Sequence, residues 1–303
     1  MTSLLNWWII FHVILWTRVK SYTNKPNIIV FLADDMGYAD LQSFGNPLSR
    51  TPHVDALEAG GLKLTQMYSA SAICSPARAA LLTGRYPVRS GVWTPDDGQL
   101  VFAPKSVYGL PLNETLIPEM LAQQGYKSAI VGKWHLGVGL NKKYLPTNQG
   151  FHHYFGMPYS HEGCVCAACF YPDVECVNPN VYNNSNAVTC PLLLEEDIIE
   201  QPINLTSLAE RQTRAARSWI REFVCEGSPF FMYYSTHHPH TPQFANRHNE
   251  DATLGGQYTD ALAELDWELG EIMDELRINN IIENTLILFT SDNGYVNKIM
   301  ICL

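Results

Sequence analysis

Apolar and polar positions fall in blocks along the chain. Asn27-Ile-Ile-Val-Phe-Leu32 is a continuous apolar, β-branched run without polar alternation, the pattern of a strand buried on both faces of a sheet. Similar runs at Lys127–Val131, Pro229–Tyr234 and Thr285–Thr290 predict further strands, and Leu62–Tyr68 is expected to be another. Helical segments lie between them. Thr51 followed by Pro52 offers an N-cap and a first-turn proline, with Gly60-Gly61 as the stop, so 52–59 is expected to be a short helix. Ser75-Pro76 repeats that signal before Ala77–Leu82 and Gly84, which places Cys74 at a helix N-terminus. Leu116–Gln124 reads as a helix ended by Gly125, and Ser207-x-x-Glu210 as a capping box opening a helix to about Val224. Tyr258 to about Ile278 reads as a long amphipathic helix. This alternation predicts an α/β fold, a mostly parallel central sheet with helices on both faces. Its ligand site should lie beyond the carboxyl ends of the strands.

That rule gathers scattered polar residues into one place. The strand ends carry Asp34 and Asp35, then Lys133 and His135, then His237, His238 and His240, then Asp292 and Asn293. Taken alone, Asp34-Asp35 reads equally well as a turn, and the histidine triplet as a surface turn. Taken together, they bring carboxylate and amide oxygens onto one rim with two kinds of base. Oxygen donors of this sort suit a hard divalent cation such as Ca2+ or Mg2+.

Composition narrows the class. The chain has 303 residues, 46% hydrophobic and 17% charged, enough for a sizeable core and far from the composition of a disordered chain. Its net charge of −10, with no Lys/Arg-rich run, argues against a nucleic-acid partner. The apolar run Leu4–Trp16, closed by Arg18 and Lys20, is shorter than the ~20 residues a membrane-spanning helix needs. It reads as the core of a signal peptide over residues 1–21, with an uncleaved anchor as the alternative. N-x-[ST] triplets at Asn113, Asn183 and Asn204 are compatible with secretory entry. Of the eight cysteines, Cys164, Cys166, Cys169, Cys176 and Cys190 crowd an Asn- and Pro-containing segment, which reads as a disulfide-stapled loop at 164–190. A zinc site is the competing reading, although the spacing lacks paired C-x-x-C units.

The motifs carry a family resemblance. Cys74-Ser75-Pro76-Ala77-Arg78 followed by Ala79-Ala80-Leu81-Leu82-Thr83-Gly84-Arg85 resembles the C-x-P-x-R signature of the sulfatases. Asp34-Asp35-Met36-Gly37-Tyr38, Gly132-Lys133-Trp134-His135-Leu136-Gly137, Tyr159-Ser160-His161 and Ser291-Asp292-Asn293-Gly294 follow in the family's order, and the set looks like the arylsulfatase A group. The resemblance implies an alkaline phosphatase/sulfatase-like catalytic domain over 22–294. It also implies oxidation of Cys74 to Cα-formylglycine by a formylglycine-generating enzyme in the endoplasmic reticulum. One oxygen of the hydrated aldehyde would attack sulfur in line, expel the alcohol and leave a covalent sulfate, and the second hydroxyl would allow elimination. By similarity Asp34, Asp35, Asp292 and Asn293, beside residue 74, hold one Ca2+ per chain. Arg78 and Lys133 supply positive charge, His135 bonds the diol oxygen and Ser160 is a supporting hydroxyl. His240, in His240-Thr241-Pro242, donates a proton to the leaving oxygen, with His238 as the second choice.

The resemblance further suggests an inner bridge between Cys169 and Cys176, and an outer one between Cys164 and Cys190. It implies a sulfate-ester substrate and a lysosomal or extracellular destination, and it leaves homo-oligomer formation open. A phosphatase or phosphodiesterase of the same superfamily is disfavoured, because those enzymes usually use serine or threonine as nucleophile. The departure comes after Gly294. The tail 295–303 does not match the family, and the family's second sulfate-binding lysine is not carried over onto Lys298. The smaller C-terminal domain is expected to be absent. The chain is expected to be a sulfate-ester hydrolase, with a truncated, catalytically impaired secretory protein that acts by binding only as the alternative.

Overall fold

A computed structural model describes residues 25–93, 101–165, 188–246, 248–249 and 252–295. Seven strands form one sheet: β1 (Asn27–Ala33), β2 (Lys127–Gly132), β3 (His153–Gly156), β4 (Leu192–Leu194), β5 (Asp197–Glu200), β6 (Phe230–Ser235) and β7 (Thr285–Ser291). Their spatial order is β5-β4-β3-β2-β6-β1-β7. The five strands from β3 to β7 in that order are parallel, and β4 and β5 join the far edge antiparallel. A separate two-stranded pair joins Cys164–Val165 to Val188–Thr189.

Side chains of β1 alternate between two cores. Ile29, Phe31 and Ala33 enter one with Met232 and Tyr234, under the helices α5 (Leu208–Glu226) and α6 (Gln257–Ile278) and Val54 of α1 (Pro52–Ala59). Val30 and Leu32 enter the other with Phe231 and Tyr233, under α2 (Cys74–Thr83) and α4 (Ile117–Ala122). Between α2 and α4 lies the short α3 (Pro87–Ser90). Burial on both faces explains why the runs of β1, β2 and β6 are apolar almost throughout, whereas β7 is half-buried or exposed along its length. Truncating a fully buried ring such as Phe31 would cost about 3–5 kcal/mol.

Several local expectations are corrected. Leu62–Tyr68 is not a strand; it lies beside β7 with Leu62 84% and Tyr68 77% exposed. Periodicity reports which side chains share a face, not whether a second backbone's donors and acceptors come within reach. Helix α2 begins at Cys74 rather than after Ser75, with Ile73 extended at its N-cap. Thr51 does not cap α1. Its Oγ1 instead accepts from the Gln42 N–H, while Asp266 of α6 accepts the N–H groups of His53 and Val54 at 2.9 and 2.8 Å. Ser207 makes no capping bond, and Glu210 pairs with Arg214. The reach-back bond of a capping box occurs at α4, where Glu119 accepts the Leu116 N–H at 2.7 Å.

The signal segment, Asn183, Cys166, Cys169, Cys176, Lys298 and the tail after Tyr295 lie outside the described residues, as does the Cys164 side chain. Cys190 is disulfide-bonded and fully buried. Among the described residues no helix is long and apolar enough to cross a membrane.

Candidate active site

Strand register sets the site. Leu32 pairs with both Ser235 and Thr290, and Gly132 pairs with Ser235, so β2, β6, β1 and β7 end side by side. The next residues are Lys133, Thr236, Asp34 and Asp292, all buried. Gly132 is required there. Its φ is +103°, and a Cβ would fall 1.9 Å from the Ser235 carbonyl oxygen. Two non-glycine residues at the rim, Asp35 and His135, also adopt left-handed backbone, with φ of 61° and 57°. Such conformations cost about 1–3 kcal/mol each and concentrate at functional sites.

Arg78 comes up from α2 and is completely buried. It donates from Nη2 to Asp34 at 2.9 Å and to Asp292 at 2.8 Å, and from Nε to Asp292 at 3.0 Å. Its Nη1 reaches the Lys133 carbonyl at 3.1 Å and the Ser235 hydroxyl. Lys133 Nζ donates to both oxygens of Asp34, at 2.9 and 2.6 Å. Burial works against the charged form of Asp34, yet Lys133, His240 and Arg78 hold its carboxyl well below the usual range. Asp292 behaves oppositely. Burial pushes its carboxyl up to about 6, only partly offset by Arg78. Its Oδ1 accepts the backbone N–H groups of Asp35 and Asn293 at 3.1 and 2.8 Å.

Cys74 opens α2, whose positive end therefore faces the rim. Its Sγ lies 3.7 Å from Asp34 and 3.8 Å from Asp35, and it forms no disulfide. Burial pushes its thiol far up, so the unmodified side chain is a neutral thiol and a poor nucleophile. Ser75, expected as a cap, donates to the His135 carbonyl at 2.7 Å and so ties α2 to the loop after β2. Trp134 anchors that loop, donating to the carbonyls of Gly137 and Tyr144. Burial, with Lys133 and Arg78 adding to it, holds His135 well below the ordinary histidine value, as a neutral imidazole.

His240 Nε2 lies 3.5 Å from Asp35 and 3.7 Å from Glu162, with Nδ1 2.6 Å from the Thr241 carbonyl. His238 points elsewhere, to Glu264 of α6 at 3.1 Å, and His237 faces Gln212. Ser160 is buried one residue before His161, whose ring centre is 5.2 Å from that of His240. One ligand atom from each of Asp34, Asp35, Cys74 and His240 lies within 4.8 Å of all the others. Asn293 donates to Asp35 at 2.6 Å, while its buried Oδ1 has no hydrogen-bond partner among the described residues. An orphaned amide oxygen beside clustered carboxylates fits a hard cation.

The sequence of residues 26–298 matches the family model described as Sulfatase. The chain belongs to the sulfatase family. It is 42% identical over 273 residues to arylsulfatase A of Bos taurus, covering 89% of this chain and 52% of that one. Arylsulfatase G of Homo sapiens is 37% identical over 286 residues, covering 91% of this chain and 52% of its own. Among solved structures, the chain resembles a sulfatase from Pseudoalteromonas sp. with a TM-score of 0.76 and 31% identity, covering 89% of this chain and 56% of that one. The chain thus spans about half the length of the curated relatives it matches.

Of the rim residues the strand-end rule singled out, Asp34, Asp35, Lys133, Asp292, Asn293 and His240 come together, with Cys74 and Arg78 delivered by α2, whereas His238 and His237 turn away to Glu264 and Gln212. The rule missed Ser235, the last residue of β6 and a partner of Arg78, although its place at a strand end was available as a signal. It also missed Glu162 and the α6 carboxylates behind the histidine loop. The α6 acids carry no motif, because acids on an amphipathic helix read as a solvated face.

Proposed function

We propose that this chain hydrolyses sulfate esters, with residue 74 as the formylglycine nucleophile and one Ca2+ beside it. The observation that carries this reading is the convergence of Cys74 with Asp34, Asp35 and His240 at one buried point. The formal charges of Asp34, Asp35 and Asp292 against Arg78 and Lys133 leave one negative charge, and a divalent cation would turn the site positive enough to accept a sulfate monoester. Asp34, Asp35, Asp292 and Asn293 would hold that ion, Asn293 through its orphaned Oδ1. When bound, the ion supplies charge neutralisation and polarises a sulfate oxygen.

The chain's own residues do the rest. At a hydrated aldehyde at residue 74, one hydroxyl would pass its proton to a neighbouring rim carboxylate and bond to sulfur as the bond from sulfur to the alcohol oxygen breaks. His240 protonates that leaving oxygen. The second hydroxyl would then lose its proton, re-forming the carbonyl as the bond from the residue-74 carbon to the sulfate oxygen breaks and sulfate leaves, and addition of water would restore the diol. Lys133 and Arg78 keep Asp34 ionised, neutral His135 accepts a hydrogen bond from the diol, and Ser160 supports the same end of the site. Secretory passage accompanies this reading. It supplies the formylglycine-generating enzyme and the oxidising compartment in which the Cys190 disulfide forms, with lysosomal or extracellular delivery to follow.

A binding protein that does not turn over is the second reading. It is favoured by the open groove of about 750 Å3 beside β7, walled by exposed apolar side chains such as Leu62 and Tyr68. Release of 4-nitrophenol from its sulfate by the purified chain with Ca2+, lost in Cys74→Ala, is the expected result. Absence of turnover in a chain whose peptide mass shows formylglycine at position 74 would transfer the conclusion to binding.

A further inference from the structure

The His237–Phe244 loop that carries His240 is held from behind by one carboxylate. Glu264 of α6 is 1% exposed. Its two oxygens accept the Asn246 N–H at 3.1 and 3.2 Å, and its Oε2 lies 3.1 Å from His238 Nε2, an ion-pair contact rather than an aligned hydrogen bond. One side chain thus holds the start of the loop at His238 and the chain just past its end at Asn246. One turn further along α6, Glu268 accepts from Tyr234 at 3.0 Å and Thr236 at 2.6 Å, and the Thr236 hydroxyl accepts the His238 N–H at 3.2 Å. His238 is the node of this arrangement. Its carbonyl accepts the Asp34 N–H at 2.9 Å, and its ring packs on Phe244 at 4.4 Å. Phe244 in turn packs edge-on to His161, whose ring faces His240.

From this geometry we infer that Glu264 is a positioning residue that sets the His240 ring against the reacting centre. It does so through His238 and the Asn246 backbone, and touches neither substrate nor metal. The inference rests on the sulfatase reading for its consequence, but the contact chain itself is independent of turnover. A lone structural role would change how much enzyme is folded. A positioning role changes how well the leaving oxygen is protonated, which matters little for an acidic phenol and greatly for a basic one.

The test compares kcat/KM for 4-nitrophenyl sulfate and for phenyl sulfate in the wild-type chain, Glu264→Gln, Glu264→Asp and His240→Gln. The expected result for Glu264→Gln is a loss with phenyl sulfate ~10-fold or more greater than with 4-nitrophenyl sulfate, in the same direction as His240→Gln, because supporting groups of this kind carry ~10–100-fold effects. Glu264→Asp should recover part of the difference. Equal losses on both substrates would overturn the inference, since the ratio does not depend on the amount of folded protein. A second measurement needs no turnover. In the 15N-histidine spectrum, with His240 assigned by its absence from His240→Gln, the His240 ring signals should move in Glu264→Gln. Unmoved signals would overturn the positioning role even in an inactive chain, whereas inactivity of the wild type would count against the sulfatase reading alone.

Discussion

Arg78 shows what a residue type announces and what it conceals. Its place four residues after Cys74 marks it for an anion site, and the family resemblance assigns it to compensating charge. In the fold that charge is spent first on the protein, on Asp34 and on Asp292, the latter 214 positions away in sequence. No spacing rule reaches that far, so the residue was legible and its partners were not. The two carboxylates it joins are both fully buried and diverge. Asp34 is held low against the cost of burial because Lys133 serves it as well, while Asp292 is pushed up to about 6. Lysine cannot reproduce the planar fork that reaches both carboxylates. Arg78→Lys is therefore expected to destabilise the fold by about 3–5 kcal/mol, the usual cost of leaving a buried charge without its partner. Urea unfolding would show this as a lower midpoint, and an unchanged midpoint would refute it.

Elements were legible where burial is two-sided and illegible where it is conditional. The strands β1, β2 and β6 were readable because a run buried on both faces has no other good explanation, and β7 because it keeps the same apolar run although its side chains are only half-buried or exposed. Leu62–Tyr68 failed because its apolar alternation finds no paired backbone, and the cap of α1 failed because it comes from Asp266 across the fold. The acids of α6 look like a water-facing stripe, yet Glu264 and Glu268 are buried against His238, Thr236 and Tyr234. A similar long-range tie joins three elements at the opposite edge. His153 opens β3, stacks on Trp219 of α5 at 5.1 Å, and places its nitrogens 3.0 Å from Glu195 and 3.5 Å from Glu222. Glu195, at the turn between β4 and β5, raises the His153 pKa above its ordinary value, burial opposing it and Glu222 adding to it. A histidine whose folded pKa exceeds its unfolded one contributes stability that is fully present below the unfolded value, ~6.5, and is lost as pH rises through the folded value. His153→Phe keeps an aromatic ring for Trp219 and removes the ion pairs. Its melting temperature should fall below wild type at pH 5, and the gap should close by pH 9. A gap independent of pH would show that the tie is packing alone.

At the scale of the whole molecule, one edge of the sheet is finished by antiparallel strands, while among the described residues the other edge strand has a neighbour on one side only. The antiparallel strands β4 and β5 close one side, and β5 is short and begins with Asp197. On the other side β7, Thr-Leu-Ile-Leu-Phe-Thr-Ser, carries no charge and no proline and pairs, among the described residues, with β1 only. The groove beside it is walled by exposed apolar side chains, with Leu62 84%, Leu64 51% and Tyr68 77% exposed. The net charge of −10 opposes association at long range, but screening within ~10 Å at ordinary salt leaves a neutral edge unprotected. An uncharged edge strand is a template for pairing with another chain, and a single lysine is the usual remedy. Leu286, 60% exposed at the start of β7, is the place for it. Sedimentation velocity over a concentration series should show the wild-type chain associating, and Leu286→Lys remaining monodisperse without a fall in melting temperature. Self-association driven by backbone pairing also weakens little with added salt, whereas charge-driven association weakens steeply. Identical concentration dependence in the two proteins would place the sticky surface elsewhere and leave the β7 edge inert.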